Sequence, residues 1–244
     1  MGSWEPFCNF TILRYEKGGK QMKEFQQKFV DYLYETGALK FGDFTLKSGR
    51  KSPFFVNLGD FNTGSNLCNL AHFYASAIRE KYGDEFDVLF GPAYKGIPLA
   101  VATAMVLSFE YDMHSIRYCS NRKEIKDHGD SGILLGSKLK DGDRVIMIED
   151  VTTSGKSMEE TVPIVRAQAD VKIVGLMVSL DRHEFGQGGK KTALKEVSET
   201  YGFPTAAIVS MLEAVEYLRE TQRITDEQLA AINAYYEQYG PKEE

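Results

Sequence analysis

The chain has 244 residues, of which 43% are hydrophobic and 26% charged, a composition typical of globular proteins that excludes a disordered chain. Its formal net charge of −6 excludes a general electrostatic attraction to nucleic acid. Cys8, Cys68 and Cys119 are far apart and lack metal-ligand spacing, which predicts a reducing compartment. Because no apolar run reaches membrane-spanning length and no secretory signal is recognisable, we expect a cytoplasmic protein that binds no membrane.

The first part of the chain contains an irregular segment followed by a predicted helix. Residues 1–21 show no hydrophobic period, so we interpret them as an extension or an added lead, and 22–244 as a single domain. Apolar residues spaced three and four apart predict a helix over 22–36, closed by Gly37. The next predicted elements are a strand-like region over 41–58, interrupted by a basic turn at 47–53, and a helix over 66–82.

Three short, nearly all-apolar segments follow, at 87–90, 145–148 and 171–180. Such segments alternating with helices are typical of a parallel sheet that is covered on both faces. Ligands of these sheets bind beyond the carboxyl ends of the strands. The sequence therefore predicts an α/β fold. The other predicted helices are one over 97–107, one that follows the second apolar segment and its loop and runs to about residue 168, one over 206–220, and one from Thr225 with a Thr225…Gln228 capping pair. A polar loop is predicted over 118–143.

The segment VIMIEDVTTSGKS at 145–157 runs from a strand into two acids and a hydroxyl-rich loop. A loop of small residues before a helix directs backbone N–H groups into one volume, where the helix N-terminus favours a phosphate. Glu149 and Asp150 can accept hydrogen bonds from neighbouring ribose hydroxyls, the alternative being an ordinary polar strand terminus. Ser157 and Glu160 also fit a capping box, which gives Ser157 an alternative role at the helix start. A nucleoside-triphosphate P-loop is excluded, because that motif needs a glycine at the position of Asp150.

This segment resembles the 5-phosphoribosyl 1-diphosphate signature of the type I phosphoribosyltransferases, which has four apolar residues, two acids, a small residue and a Thr/Ser/Gly run. The resemblance implies a parallel-sheet core flanked by helices, with a small hood from the N-terminal segment and a flexible catalytic loop. It also implies that Glu149 and Asp150 hold the ribose hydroxyls, although Glu149 stands where members more often have Asp. The implied 5′-phosphate loop consists of Val151, Thr152, Thr153, Ser154, Gly155, Lys156 and Ser157.

A second segment, TLKSGRKSPFFVNLGDFNTG at 45–64, resembles the N-terminal part of the orotate phosphoribosyltransferases. The resemblance implies that Lys47 contacts both the sugar diphosphate and the anionic base. Phe55 and Val56 would cover the ring of orotate, with core packing as the alternative for Phe55. For the adjacent Phe54 we predict core packing.

The segment GPAYKG at 91–96 is a third point of resemblance. Gly91 and Gly96 allow a close approach of the backbone. By the resemblance, Tyr94 and Lys95 lie beside the diphosphate. A solvated lysine in a strand-helix loop is the alternative.

The segment RKEIKDHG at 122–129 lies in the predicted polar loop, and loops of that length in globular domains are often functional lids or disordered. Its basic residues alone indicate only a solvated surface. The orotate phosphoribosyltransferases carry this arrangement on a mobile catalytic loop. The resemblance implies that Arg122, Lys126 and His128 neutralise the leaving diphosphate, and that Lys123 does so from the partner subunit of a homodimer.

The segment DRHE at 181–184 matches the Asp-Arg-x-Glu sequence of the same family. It implies that Arg182 recognises orotate through a planar contact with several donors, with Thr153 also in the orotate site. The alternative is a surface arginine at a strand end.

The resemblance as a whole spans about residues 22–220 and implies phosphoribosyl transfer to orotate. Mg²⁺ is the implied cofactor, held mainly by the sugar diphosphate and water and without direct protein ligands. Two alternatives remain open. One is a phosphoribosyltransferase for another base, and the other is a catalytically silent regulator that senses the sugar diphosphate.

Overall fold

The computed structural model describes residues 22–46, 49–126, 132–152 and 155–241. No helix within these ranges is long and apolar enough to cross a membrane. The predicted features that lie outside them are the segment 1–21 and the candidate site residues Lys47, Thr153, Ser154 and His128.

The described residues form seven α-helices, a short 3-10 helix (Leu58–Asp60) and eight strands, and the predicted helices that begin near residues 22, 66, 97 and 225 are confirmed. The Thr225…Gln228 capping pair is present as predicted. The helices are α1 (Glu24–Glu35), α2 (Gly64–Tyr82), α3 (Gly96–Glu110), α4 (Lys156–Arg166), α5 (Ala193–Tyr201), α6 (Met211–Glu220) and α7 (Asp226–Tyr239). The strands are β1 (Leu39–Thr45), β2 (Lys51–Val56), β3 (Val88–Phe90), β4 (Arg117–Lys126), β5 (Gly132–Gly136), β6 (Arg144–Glu149), β7 (Lys172–Asp181) and β8 (Thr205–Ser210).

Six of the strands form one sheet in the order β5-β4-β3-β6-β7-β8, while β1 and β2 form a separate hairpin. Neighbouring strands of the large sheet are parallel, except that β5 runs antiparallel to β4. The predicted α/β fold is therefore confirmed. Because parallel strands end at the same edge, Phe90, Glu149 and Asp181 bring three neighbouring strand ends together.

Helices cover both faces of the large sheet, as the central strand β6 illustrates. Val145 and Met147 belong to the apolar cluster that includes the inner faces of α4 and α5. Ile146 and Ile148 belong to the opposite cluster, which includes residues of α1, α2, α3 and α6. All four side chains are fully buried. A strand buried from both sides needs an unbroken apolar run, and that run predicted this strand from the sequence.

The composition of the polar segment at 118–143 predicted one long loop, and this prediction is wrong. Most of it belongs to the antiparallel hairpin of β4 and β5 at the edge of the sheet, where Cys119 pairs with Gly136. Strands at a sheet edge tolerate polar and charged residues, so polarity was a poor guide to the backbone here. The residues between the two strands, 127–131, lie outside the described ranges.

The predicted helix over 206–220 is wrong in its first part. The residues before Met211 form the edge strand β8, parallel to β7, and α6 begins after the capping residue Ser210. Ala206 and Ala207 favour a helix by intrinsic propensity, but strand pairing overrides this preference. Helix α5, which starts after the cap Thr192, was not predicted.

The strand-like region at 41–58 forms the hairpin of β1 and β2, and its break is shorter than predicted because β2 already begins at Lys51. Phe54 is fully buried, which confirms its predicted core packing. Its ring lies 5.5 Å from that of Tyr235 and 6.1 Å from that of Tyr236. The hairpin therefore packs against the C-terminal helix α7.

Candidate active site

The end of β6 places two carboxylates side by side. Glu149 Oε2 is buried and has no hydrogen-bond partner among the described residues, whereas Asp150 Oδ2 accepts a bond from Lys95 Nζ at 2.8 Å. Burial is the main cause that raises the pKa of Glu149 to about 7. A hydrogen bond with Ser157 and the charge of Lys95 act against this rise in pKa, and Asp150 adds to it. The free carboxylate oxygen is an acceptor that a ligand hydroxyl could satisfy.

The loop between β3 and α3 brings Lys95 to the acid pair. A Cβ atom added to Gly91 would lie 1.9 Å from the carbonyl oxygen of Gly96, so the loop closes backbone against backbone as its glycines predicted. Tyr94 and Lys95 remain largely exposed at this closed loop. Lys95 is not simply solvated, because it pairs with Asp150, and both exposed side chains are accessible to a ligand.

Two hydroxyl groups hold the backbone of the acid pair in place. Tyr74 of α2 donates to the carbonyl oxygen of Glu149 at 2.6 Å, and Ser179 of β7 donates to that of Asp150 at 2.5 Å. Burial, followed by the Asp150 carboxylate, raises the pKa of Tyr74 well above its ordinary value, so its hydroxyl stays a donor. Sequence reasoning missed both residues, which lie 75 and 29 positions from their partners. The one available signal was a tyrosine on the apolar face of the predicted helix over 66–82.

The loop after the acid pair leads directly into α4. Gly155 has a positive φ of 68°, and its N–H donates to the hydroxyl of Thr152 at 3.2 Å. The predicted capping role of Ser157 is wrong, because Gly155 occupies the N-cap position and Ser157 lies in the first helical turn. Ser157 instead interacts with the Glu149 carboxylate. The other described residues of this loop are Val151, which is half-buried, and Lys156, which is exposed.

The basic residues of the predicted catalytic loop lie on β4 or just beyond it. Arg122 is half-buried, and its Nε donates to a backbone carbonyl of β5 at 3.2 Å. Lys123 is exposed and pairs at 2.9 Å with Glu160 of α4 in the same chain. This pair places the β4-β5 hairpin next to α4, the helix that follows the acid-pair loop. Lys126 is the last residue of β4, and His128 follows outside the described ranges.

Arg182, directly after β7, is only 6% exposed, so the alternative of a surface arginine is wrong. Its Nε and Nη2 donate to Glu184 Oε1 at 2.9 and 2.6 Å. Its guanidinium carbon lies 4.7 Å from the centre of the Phe54 ring. Phe55 and Val56 follow on the same strand and are half-buried. The β1-β2 hairpin and the end of β7 therefore meet at Arg182.

Comparisons with known proteins agree with this arrangement. The family model described as "Phosphoribosyl transferase domain" matches residues 59–205. The chain is 62% identical over 227 residues to the orotate phosphoribosyltransferase of Agathobacter rectalis, covering 91% of this chain and all of that protein. The chain belongs to the orotate phosphoribosyltransferase family. The family member of Clostridium beijerinckii is 56% identical over 226 residues, again over 91% of this chain and all of that protein.

A solved structure extends the agreement to three dimensions. The crystal structure of orotate phosphoribosyltransferase from Francisella tularensis matches with a TM-score of 0.77 at 34% sequence identity. The match covers 87% of this chain and 99% of that one. The chain therefore shares the fold of this family member over most of its length.

Replacing Glu149 with glutamine should change how stability depends on pH. The raised pKa favours the neutral acid in the folded chain. The contribution of Glu149 to the free energy of unfolding is therefore complete below about pH 4.5 and is lost as the pH rises through about 7. One pKa unit corresponds to about 1.4 kcal/mol. Between these two pH values, the free energy of unfolding of wild type should therefore fall by at most about 3 kcal/mol relative to that of Glu149→Gln. Thermal unfolding at about pH 4.5 and about pH 8 measures this difference.

The control for this experiment is Glu216→Gln, the same change at an exposed position of α6. This variant should keep the pH dependence of wild type. If Glu149→Gln also keeps it, the carboxylate of Glu149 is not the buried acid that the structure indicates.

Proposed function

We propose that the chain transfers the 5-phosphoribosyl group from 5-phosphoribosyl 1-diphosphate to orotate, giving orotidine 5′-monophosphate and diphosphate, a step of pyrimidine biosynthesis. The observation that carries this proposal is the acid pair, with its unsatisfied buried oxygen, at the same sheet edge as Arg182. A carboxylate acceptor suits a ribose hydroxyl, and a guanidinium suits the carboxylate of orotate. The free cysteines Cys68 and Cys119 support a reducing, cytoplasmic location.

The residues of the site divide between the two substrates. Glu149 and Asp150 accept hydrogen bonds from the ribose hydroxyls, and the loop over 151–157 with the N-terminus of α4 holds the 5′-phosphate. Next to them, Tyr94 and Lys95 contact the diphosphate. The residues that we assign to orotate are Arg182, Phe55, Val56, Thr153 and Lys47, the last of which also contacts the diphosphate.

In the reaction, a ring nitrogen of orotate attacks C1 of the ribose and releases its proton to water. The bond between C1 and the diphosphate oxygen breaks, and its electron pair leaves with diphosphate. Arg122, Lys126 and His128 stabilise the negative charge that builds up on this leaving group. The protein needs no covalent nucleophile for this step, since holding the two substrates in line supplies much of the rate enhancement.

The acid pair also fits the proposed cofactor, Mg²⁺. The described residues contain no group of three or more His, Cys, Asp or Glu side chains arranged to hold a metal ion. Mg²⁺ usually keeps several waters and takes one or two carboxylates together with substrate phosphates. Because Glu149 and Asp150 accept the ribose hydroxyls in this proposal, they would meet such an ion through its waters and not as direct ligands. Bound mainly through the sugar diphosphate and water, the ion would neutralise charge on the leaving group.

We also propose a homodimer in which Lys123 acts in the site of the partner subunit. On α3, Met105 is 55% exposed and Phe109 is 77% exposed, and Tyr118 at the start of β4 is exposed as well. Exposed apolar side chains beside the strand that carries Lys123 favour contact with a second copy of the chain. The pair of Lys123 with Glu160 in its own chain is solvent-exposed and therefore easily exchanged for another anion.

Orotate absorbance should fall when purified protein is mixed with orotate, 5-phosphoribosyl 1-diphosphate and Mg²⁺. Lys126→Ala should slow this reaction by roughly a hundredfold or more, because it removes a charge that stabilises the leaving group. Uracil and adenine serve as control bases. Turnover of another base in place of orotate would refute the substrate, and tight binding of the sugar diphosphate without any turnover would indicate a regulator.

Tyr74→Phe should weaken binding of the sugar diphosphate, because it frees the backbone of Glu149. The KM for 5-phosphoribosyl 1-diphosphate should rise roughly fivefold, as a hydrogen bond is worth about 1 kcal/mol, while the KM for orotate changes little. Tyr82→Phe is the matched control, since Tyr82 also lies on α2 and donates at 2.6 Å to a β7 carbonyl, that of Leu176. An equal effect of both substitutions on this KM would argue against positioning by Tyr74.

Mixing two inactive variants tests the proposed action of Lys123 across the dimer. After subunit exchange between Lys123→Ala and Asp150→Asn, each mixed dimer has one intact site if Lys123 acts in the partner's site. Random pairing then restores roughly a quarter of wild-type activity, because half of the dimers are mixed. If Lys123 acts in its own chain, every site lacks one residue and no activity returns.

A further inference from the structure

Glu184 joins three separate parts of the chain behind Arg182. Its Oε1 accepts bonds from Arg182 and from the hydroxyl of Tyr235 at 2.8 Å, and its Oε2 accepts one from Arg50 at 2.9 Å. The guanidinium of Arg50 lies 4.3 Å from the centre of the Tyr239 ring. Arg50 precedes β2, Glu184 follows β7, and the two tyrosines belong to α7. The β1-β2 hairpin, the end of β7 and the C-terminal helix therefore share one carboxylate, whose side chain is 10% exposed.

Helix α7 also holds the main chain at this point. The hydroxyl of Tyr236 donates to the carbonyl oxygen of Arg182 at 2.7 Å. The next residue, His183, has a φ of 54°, which non-glycine residues seldom adopt without support from their surroundings. Burial raises the pKa of both Tyr235 and Tyr236, so their hydroxyls remain donors at neutral pH. One helix thus fixes the backbone of Arg182 and, through Glu184, its side chain.

The hydrogen bonds of Arg182 leave part of its guanidinium available. An arginine has about five N–H donors, and Glu184 receives one from Nε and one from Nη2. The remaining donors have no hydrogen-bond partner in the described part of the chain. A guanidinium that Glu184 holds along one edge keeps its remaining donors for a planar contact with a carboxylate.

We propose that Tyr235 and Tyr236 of α7 are positioning residues for base recognition, which aim Arg182 at the carboxylate of the base. This inference rests on the proposed orotate contact of Arg182. The matched phosphoribosyl transferase domain, 59–205, includes Arg182 and Glu184 but neither Arg50 nor α7. In this proposal, selectivity for an acidic base combines Arg182 and Glu184 of that domain with Arg50 and α7 on either side of it.

The test is the double substitution Tyr235→Phe with Tyr236→Phe, which keeps both rings and removes both hydroxyls. The KM for orotate should rise about tenfold, whereas the KM for 5-phosphoribosyl 1-diphosphate should stay within about twofold. The preference for orotate over uracil, which lacks the carboxylate, should fall by about the same tenfold factor. Tyr34→Phe is the control, because Tyr34 loses a comparable bond, to the carbonyl oxygen of Arg223 at 3.1 Å, shortly before α7.

The outcomes separate this inference from the proposed function. A selective rise in the KM for orotate, absent in Tyr34→Phe, supports positioning by α7. An unchanged KM for orotate, or an equal loss for both substrates together with a lower melting temperature, overturns it and leaves the proposed function intact. A wild-type protein that turns over no orotate refutes the proposed function and this inference with it.

Discussion

The burial of the Glu149 carboxylate is the constraint around which the site is arranged. A buried carboxylate without enough partners is unfavourable when charged, and its pKa of about 7 reflects that cost. Lys95 binds the neighbouring Asp150 and leaves Glu149 Oε2 open. Tyr74 and Ser179 direct their hydroxyls to backbone carbonyls, so they hold the acids without occupying them. Glu149 Oε2 is thus an acceptor without a partner among the described residues, which a ligand hydroxyl can satisfy.

The parts of this arrangement that follow local rules could be predicted from the sequence. The strand β6 is a run of apolar residues because it is buried on both faces, and Gly155 stands where the backbone needs a positive φ. Gly91 and Gly96 are required because their backbones touch. The acid pair and its loop were recognisable because their chemistry depends on neighbours in sequence. The individual roles of the site residues remain predictions.

The features that sequence reasoning missed depend on distant partners. β8 contains residues with helical propensity and becomes a strand only because β7 offers an edge for pairing. Tyr74 reaches Glu149 across 75 positions, and Tyr235 reaches Glu184 across 51. A single tyrosine in an apolar helix face carries no local sign of the carbonyl or carboxylate that it will meet. Ser157 shows the converse, since a local capping pattern gave way to a contact with Glu149.

The topology also explains why recognition of the two substrates can be separated. The residues that we assign to the sugar and its phosphates lie in loops at neighbouring parallel strands, whose ends are fixed by the register of the sheet. Arg182 shares that edge, but its orientation is set by Glu184, Arg50 and helix α7. A change in the β1-β2 hairpin or in α7 can therefore alter the proposed base contact while the acid pair keeps its place in the sheet. The chain has a net charge of −6 and therefore no overall positive field. Cationic side chains held in place at the site, such as Arg182, have to attract the two anionic substrates instead.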